Sequence, residues 1–98
     1  MSRYIQQNEQ EPAFLASNAG WTQFIAWFDA APKESQAECP ALAALINDGG
    51  TDDAAAVNDQ LSQLASAHEA DDDVQGIIDT LTEFLAATSE GSSINITH

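Results

Sequence analysis

The sequence predicts an all-α protein, a compact bundle of about four short antiparallel helices. Three observations predict it. The large apolar side chains between residues 18 and 90 fall into four blocks with helical spacing. Helix-starting residues (Asn18, Thr51, Asp71 to Asp73) precede the first, third and fourth blocks, and Pro or Gly (Pro32, Gly49-Gly50, Gly91) follows the first, second and fourth. The connections, of about 4–8 residues, are short enough to favour antiparallel neighbours. With 98 residues the chain makes one domain with a modest core. The expected division is an N-terminal arm over 1–17, a helical domain over 18–91 and a C-terminal tail over 92–98.

In the arm, Pro12 interrupts any helix, and Arg3-Tyr4-Ile5 reads as a short extended segment or a loose arm. The first strong helix starts near Asn18, the expected N-cap, and Pro32 gives its stop. Trp21, Phe24, Ile25 and Phe28 stand at i, i+3, i+4 and i+7, on one face. Trp27 sits at the margin of that face, about 60° from Phe24 at 100° per residue. A marginal Trp either completes the core or anchors an interface, where Trp is enriched.

A second helix is expected from about Cys39 to Asp48, with Pro40 in its first turn. Ser35 and Glu38 match a capping box that would start it earlier, but the later start suits Pro40 better. Leu42, Leu45 and Ile46 form its apolar stripe, and Gly49-Gly50 ends it.

The third helix follows Thr51 as N-cap, with Asp52 and Asp53 in its first turn, where the helix dipole favours acids. Val57, Leu61, Leu64 and His68 share a face. The fourth begins among Asp71, Asp72 and Asp73. Val74, Ile77, Ile78, Leu81, Phe84 and Leu85 make the most regular stripe of the chain, and Gly91 closes it. In the tail, Ile94 and Ile96 alternate with polar residues. It pairs with Arg3-Tyr4-Ile5 as a small strand, or it frays.

Charge narrows the function classes. Arg3 and Lys33 are the only bases, against 16 acids, for a net charge of −14. After Lys33 there is no Lys or Arg at all, and every acid except Glu9, Glu11 and Asp29 lies in that stretch. Such a chain repels nucleic acid and anionic lipid and is drawn to basic surfaces. No signal-type apolar region or membrane-length run is present, and Cys39 stands alone, so the expected compartment is the cytoplasm.

Sites of chemistry are scarce. His68, Glu69 and Asp71 to Asp73 bring together possible metal ligands, yet acids at a helix start are ordinary capping chemistry. The stretch from Asp48 to Asp59 fails the calcium-loop spacing at positions three, six and twelve. Cys39 has no C-x-x-C partner and reads as a small core filler. The glycines match no phosphate loop, and two bases offer little to hold a phosphorylated substrate. No enzymatic activity, cofactor or metal is expected.

What remains is a small acidic protein-binding module that docks on a basic partner, as inhibitors, immunity-type proteins and nucleic-acid mimics do. That partner is a basic protein surface, and a nucleic-acid-binding protein would offer one. The expected contact residues are Trp27, Asp52, Asp53, Asp59, Asp71, Asp72, Asp73, Asp79 and Glu83. The alternative is a structural or regulatory homodimer whose acidity reflects a salty environment. Asp52, Asp53 and Asp71 to Asp73 are explained as acids at helix starts. The missing bases are not, because exposed helix faces ordinarily carry i,i+4 partners.

Overall fold

The protein folds as α+β, not as an all-α bundle. The computed structural model describes residues 2–8, 10–88 and 92–97. Among them are five helices and one four-stranded antiparallel sheet. In chain order the elements are β1 (Ser2–Gln7), β2 (Ala13–Ser17), α1 (Asn18–Ala30), α2 (Lys33–Ala37), α3 (Pro40–Asp48), β3 (Gly50–Thr51), α4 (Ala54–Ala67), α5 (Asp72–Ala86) and β4 (Ile94–Thr97).

The sheet order is β2-β1-β4-β3. The segment around Arg3-Tyr4-Ile5 is therefore a central strand. It pairs with β4 in the register Tyr4↔Thr97, Ile5↔Ile96, Gln6↔Asn95 and Gln7↔Ile94. Of the two states expected for the tail, pairing is the one adopted. Side chains alternate across the sheet. Ile5, Leu15 and Ile94 are buried, while Phe14 and Asn95 are exposed on the other face. The β1–β2 register shifts between Arg3 and Tyr4, so Leu15 has no partner on β1. This bulge breaks the alternation and buries Leu15 and Ala16 consecutively.

Tail and sheet are locked by a short polar clamp. Asn8, at φ 53°, turns the chain after β1, a left-handed conformation that Asn tolerates. Its backbone N–H donates to the Ser93 carbonyl (2.9 Å), and its side-chain oxygen accepts from the Ser93 N–H (3.0 Å). Buried Ser92 takes a hydrogen bond from the Gln7 amide (3.1 Å). Gly49 and Gly50 have separate tasks. Gly49 ends α3 at φ 80°, in the left-handed region. Gly50 lies so close to β4 that a Cβ would stand 2.6 Å from Asn95 Oδ1.

Several helix ends differ from expectation by one or two residues. Ser17, not Asn18, caps α1 through a bond from the Gly20 N–H (3.1 Å). Asp53, not Thr51, caps α4, accepting from the Ala56 N–H (3.1 Å), so Asp52 and Asp53 precede the helix. Asp71 caps α5, with Asp72 and Asp73 in its first turn. The extra helix α2 fills the space between Pro32 and Glu38. The later start of the next helix, α3, holds. It has no cap of its own: Gln60 on α4 reaches across, and its Oε1 accepts from the N–H groups of Ala41 (2.9 Å) and Leu42 (3.1 Å). Helix α5 ends at Ala86, and Gly91 lies outside the described residues.

One core joins the two layers. Ile5, Leu15 and Ile94 from the sheet belong to the same buried cluster as Phe24, Leu42, Leu45, Val57, Leu61 and Leu81 from the helices. Helix α5 packs against both α1 and α4. That arrangement sets a shallow groove between α1 and α5, next to β2.

Candidate docking surface

Helix α5 carries the clearest acidic face. Asp72, Asp79 and Glu83 are all exposed and follow the i, i+7, i+11 spacing of one stripe. At helical rise they stand about 10 Å and then about 6 Å apart along the axis. Gly76, also exposed, lies in the same stripe, and a Cβ there would meet nothing within 4 Å. Gln75 donates to Asp79 Oδ1 (3.0 Å), steadying one carboxylate.

Beside this stripe runs a groove of about 380 Å³. Leu15, Ala16 and Gly20 line it from β2 and α1, and Asp73, Ile77 and Thr80 line it from α5. Gly20 lets the two helices approach: a Cβ there would stand 3.3 Å from Ile77 Cδ1. A second groove, of about 470 Å³, continues along α1 past Gln23 to Trp27, His68, Glu69 and Asp71.

The expected acidic contact residues separate into three groups. Asp72, Asp73, Asp79 and Glu83 come together on α5 as an exposed acidic surface. Asp53 and Asp71 are exposed but occupied as N-caps, and Asp52 accepts from the Ser93 hydroxyl (3.0 Å) in the clamp. Asp59 stands exposed on α4, a different helix.

Trp27 is in the core rather than at a free margin, with 7% of its surface exposed. Its ring continues a column: Trp21 stacks on Phe24 at 5.0 Å, Phe24 meets Trp27 at 5.6 Å, and Trp27 stacks on His68 at 5.3 Å. Trp27 Nε1–H donates to the Glu69 carbonyl (3.1 Å). His68 Nε2 lies 2.9 Å from the Trp27 carbonyl, which can only accept, so Nε2 carries the proton. The link between α4 and α5 thus folds over the ring and supplies its polar partner. The bond to the Trp27 carbonyl and the stacking on its ring hold His68 in place.

Among the described residues no group of three or more His, Cys, Asp or Glu side chains is placed to hold a metal ion. Cys39 is buried, with Sγ 3.7 Å from the Gln60 carbonyl. Burial pushes its thiol pKa up, and the charge of Glu38 adds to the rise. A protonated buried thiol is a poor nucleophile.

Sequence reasoning missed Phe14, Leu15 and Ala16. Phe14 is the exposed large hydrophobic residue of the described chain, 58% accessible, with its ring edge-on to Tyr4 at 5.9 Å. The adjacent Phe14-Leu15 pair was the available signal, but five residues are too few to show a strand period. Among the described residues no helix is long and apolar enough to cross a membrane. No family model, curated protein or solved structure matches the chain.

Proposed function

We propose that this chain is a protein-binding module that docks a basic partner protein through the outer face of α5 and the groove beside it. The observation that carries the proposal is the exposed stripe Asp72, Asp79 and Glu83 on a helix that contains no base. Unbalanced like charges on one face cost stability, and an oppositely charged partner relieves that cost while steering association. Nucleic acid and anionic membranes are disfavoured by the same charge. Inhibitors, immunity-type proteins and nucleic-acid mimics all work in this way, and the identity of the partner decides among them. Action in the cytoplasm belongs to the same proposal, supported by the buried free thiol of Cys39, which a reducing compartment preserves.

The test is affinity capture from host extract, with the wild-type chain beside the triple variant Asp72→Asn, Asp79→Asn, Glu83→Gln. Circular dichroism checks that both fold. A basic protein held by the wild type, lost by the variant and released by salt supports the proposal. Partners that both chains hold equally, at low and high salt, overturn it.

A further inference from the structure

The outer edge of β2 adjoins the groove between α1 and α5. Sheet order makes β2 an edge strand, with β1 on one side and no strand among the described residues on the other. Its residues Leu15, Ala16 and Ser17 form one wall of the groove of about 380 Å³, and Asp73, Gly76, Ile77 and Thr80 form the facing wall. Backbone donors and acceptors at a strand edge therefore stand next to a groove of mixed polar and apolar lining, with the Asp73 carboxylate among its walls.

We infer that this edge and groove take an extended basic segment of the partner protein, which adds to the sheet as a fifth strand beside β2. The inference rests on the basic-partner proposal and adds where and in what conformation the partner binds. Three features support an extended occupant. Strand addition supplies main-chain hydrogen bonds at an edge that is otherwise a liability. Alternate side chains of an added strand point to opposite faces, one set toward the groove and the other toward Phe14, 58% exposed on the outer face. The groove is bordered by the strand itself, so a segment lying in it meets both.

Charge selects the occupant. All four strands lack acidic residues, so β2 itself repels no one. The groove rim, however, holds Asp73, and the adjoining stripe holds Asp72, Asp79 and Glu83. A second copy brings its own charge of −14 and is repelled. A Lys- or Arg-bearing strand is attracted to the same place.

The probe is a capped peptide of alternating Lys and Val, compared with a Glu-Val peptide of the same alternation and a Lys-Leu peptide of helical spacing. Binding is read by fluorescence anisotropy, and the contact by hydrogen exchange at the amides of Phe14 to Ala16. The blocking variant is Gly76→Tyr, because Gly76 is exposed on the groove wall and a Cβ there meets nothing within 4 Å. Asp73→Lys is a second, purely electrostatic block. The expected result is saturable, salt-sensitive binding of the Lys-Val peptide, slowed exchange in β2, and a loss of affinity of about tenfold or more in each variant.

Lys-Val binding that leaves β2 exchange and both variants unchanged overturns strand addition but spares the basic-partner proposal. Tighter binding of the helical Lys-Leu peptide does the same. If neither Lys peptide binds better than the Glu-Val peptide, both ideas fall. Protection of β2 that grows with protein concentration, with a dimer in sedimentation, assigns the edge to a second copy and overturns the inference.

Discussion

Ile94→Ala tests the sheet more directly than any other single change. Ile94 is fully buried, with 0% of its surface exposed, and it pairs with Gln7 on β1 and Thr51 on β3. Removing its side chain beyond Cβ forfeits the transfer energy and leaves a cavity between the sheet and the helices. Ile→Ala at such a site costs about 2–5 kcal/mol, against a total of about 5–15 kcal/mol for a domain of this size. A loss of about 3 kcal/mol with a urea m-value of about 1.5 kcal/mol/M lowers the unfolding midpoint by about 2 M. The melting temperature falls with it, by about 4–8 °C for each kcal/mol. Equilibrium urea unfolding followed by the fluorescence of Trp21 and Trp27 measures the loss, because both rings lie in the same buried cluster as Ile94. Asn95→Ala is the control: its neighbour on the exposed face changes stability by no more than about 0.5 kcal/mol. Were residues 92–98 a frayed tail, the two variants would behave alike. A midpoint shift for Ile94→Ala as small as that of Asn95→Ala refutes the buried β4 strand and the α+β fold with it.

Three further outcomes are expected. Gly76→Ala stabilises the protein by about 0.5–1 kcal/mol, since the site is an open helix position and Ala has less freedom to lose; a lower urea midpoint would contradict the open groove wall. Asp71→Ala costs about 1 kcal/mol through the lost cap on the Val74 N–H, whereas Asp59→Ala stays within about 0.5 kcal/mol; equal thermal shifts in the two variants would remove the capping role. The Cys39 thiol is held protonated in the native state by burial and by Glu38, so the unfolded chain releases its proton first as pH rises through the ordinary value of 9.0. Stability contributed by the neutral thiol is thus complete below that pH and declines above it. Urea titrations at neutral and alkaline pH should show a steeper decline for the wild type than for Cys39→Ala, and parallel declines would contradict the shift.

Much of the helical layer was legible in the chain. The stripes on α1, α3, α4 and α5 follow from spacing alone, and each supplies buried residues where the pattern placed them. The starts of α1, α3, α4 and α5 were legible to within two or three residues, because neighbouring Ser, Asn, Thr and Asp compete for the cap and only the final backbone path decides; the end of α5, at Ala86, and the short α2 were not. The four strands were not legible as a sheet. They contain six, five, two and four residues, too few for a period of two to stand out. Their pairing joins residues near opposite ends of the chain, which local pattern cannot express.

The candidate surface divides along the same line. The missing bases and the spacing of Asp72, Asp79 and Glu83 are properties of the sequence, and they determine that one helix face is acidic wherever that helix packs. That Trp27 is covered, that Asp52 belongs to a clamp, and that β2 has an open edge beside α5 were decided by tertiary contacts. The physical reason is common to all three. Periodicity tells which side of an element is apolar, but burial depends on what arrives to cover it. For Trp27 that cover is His68 and Glu69, about forty residues away.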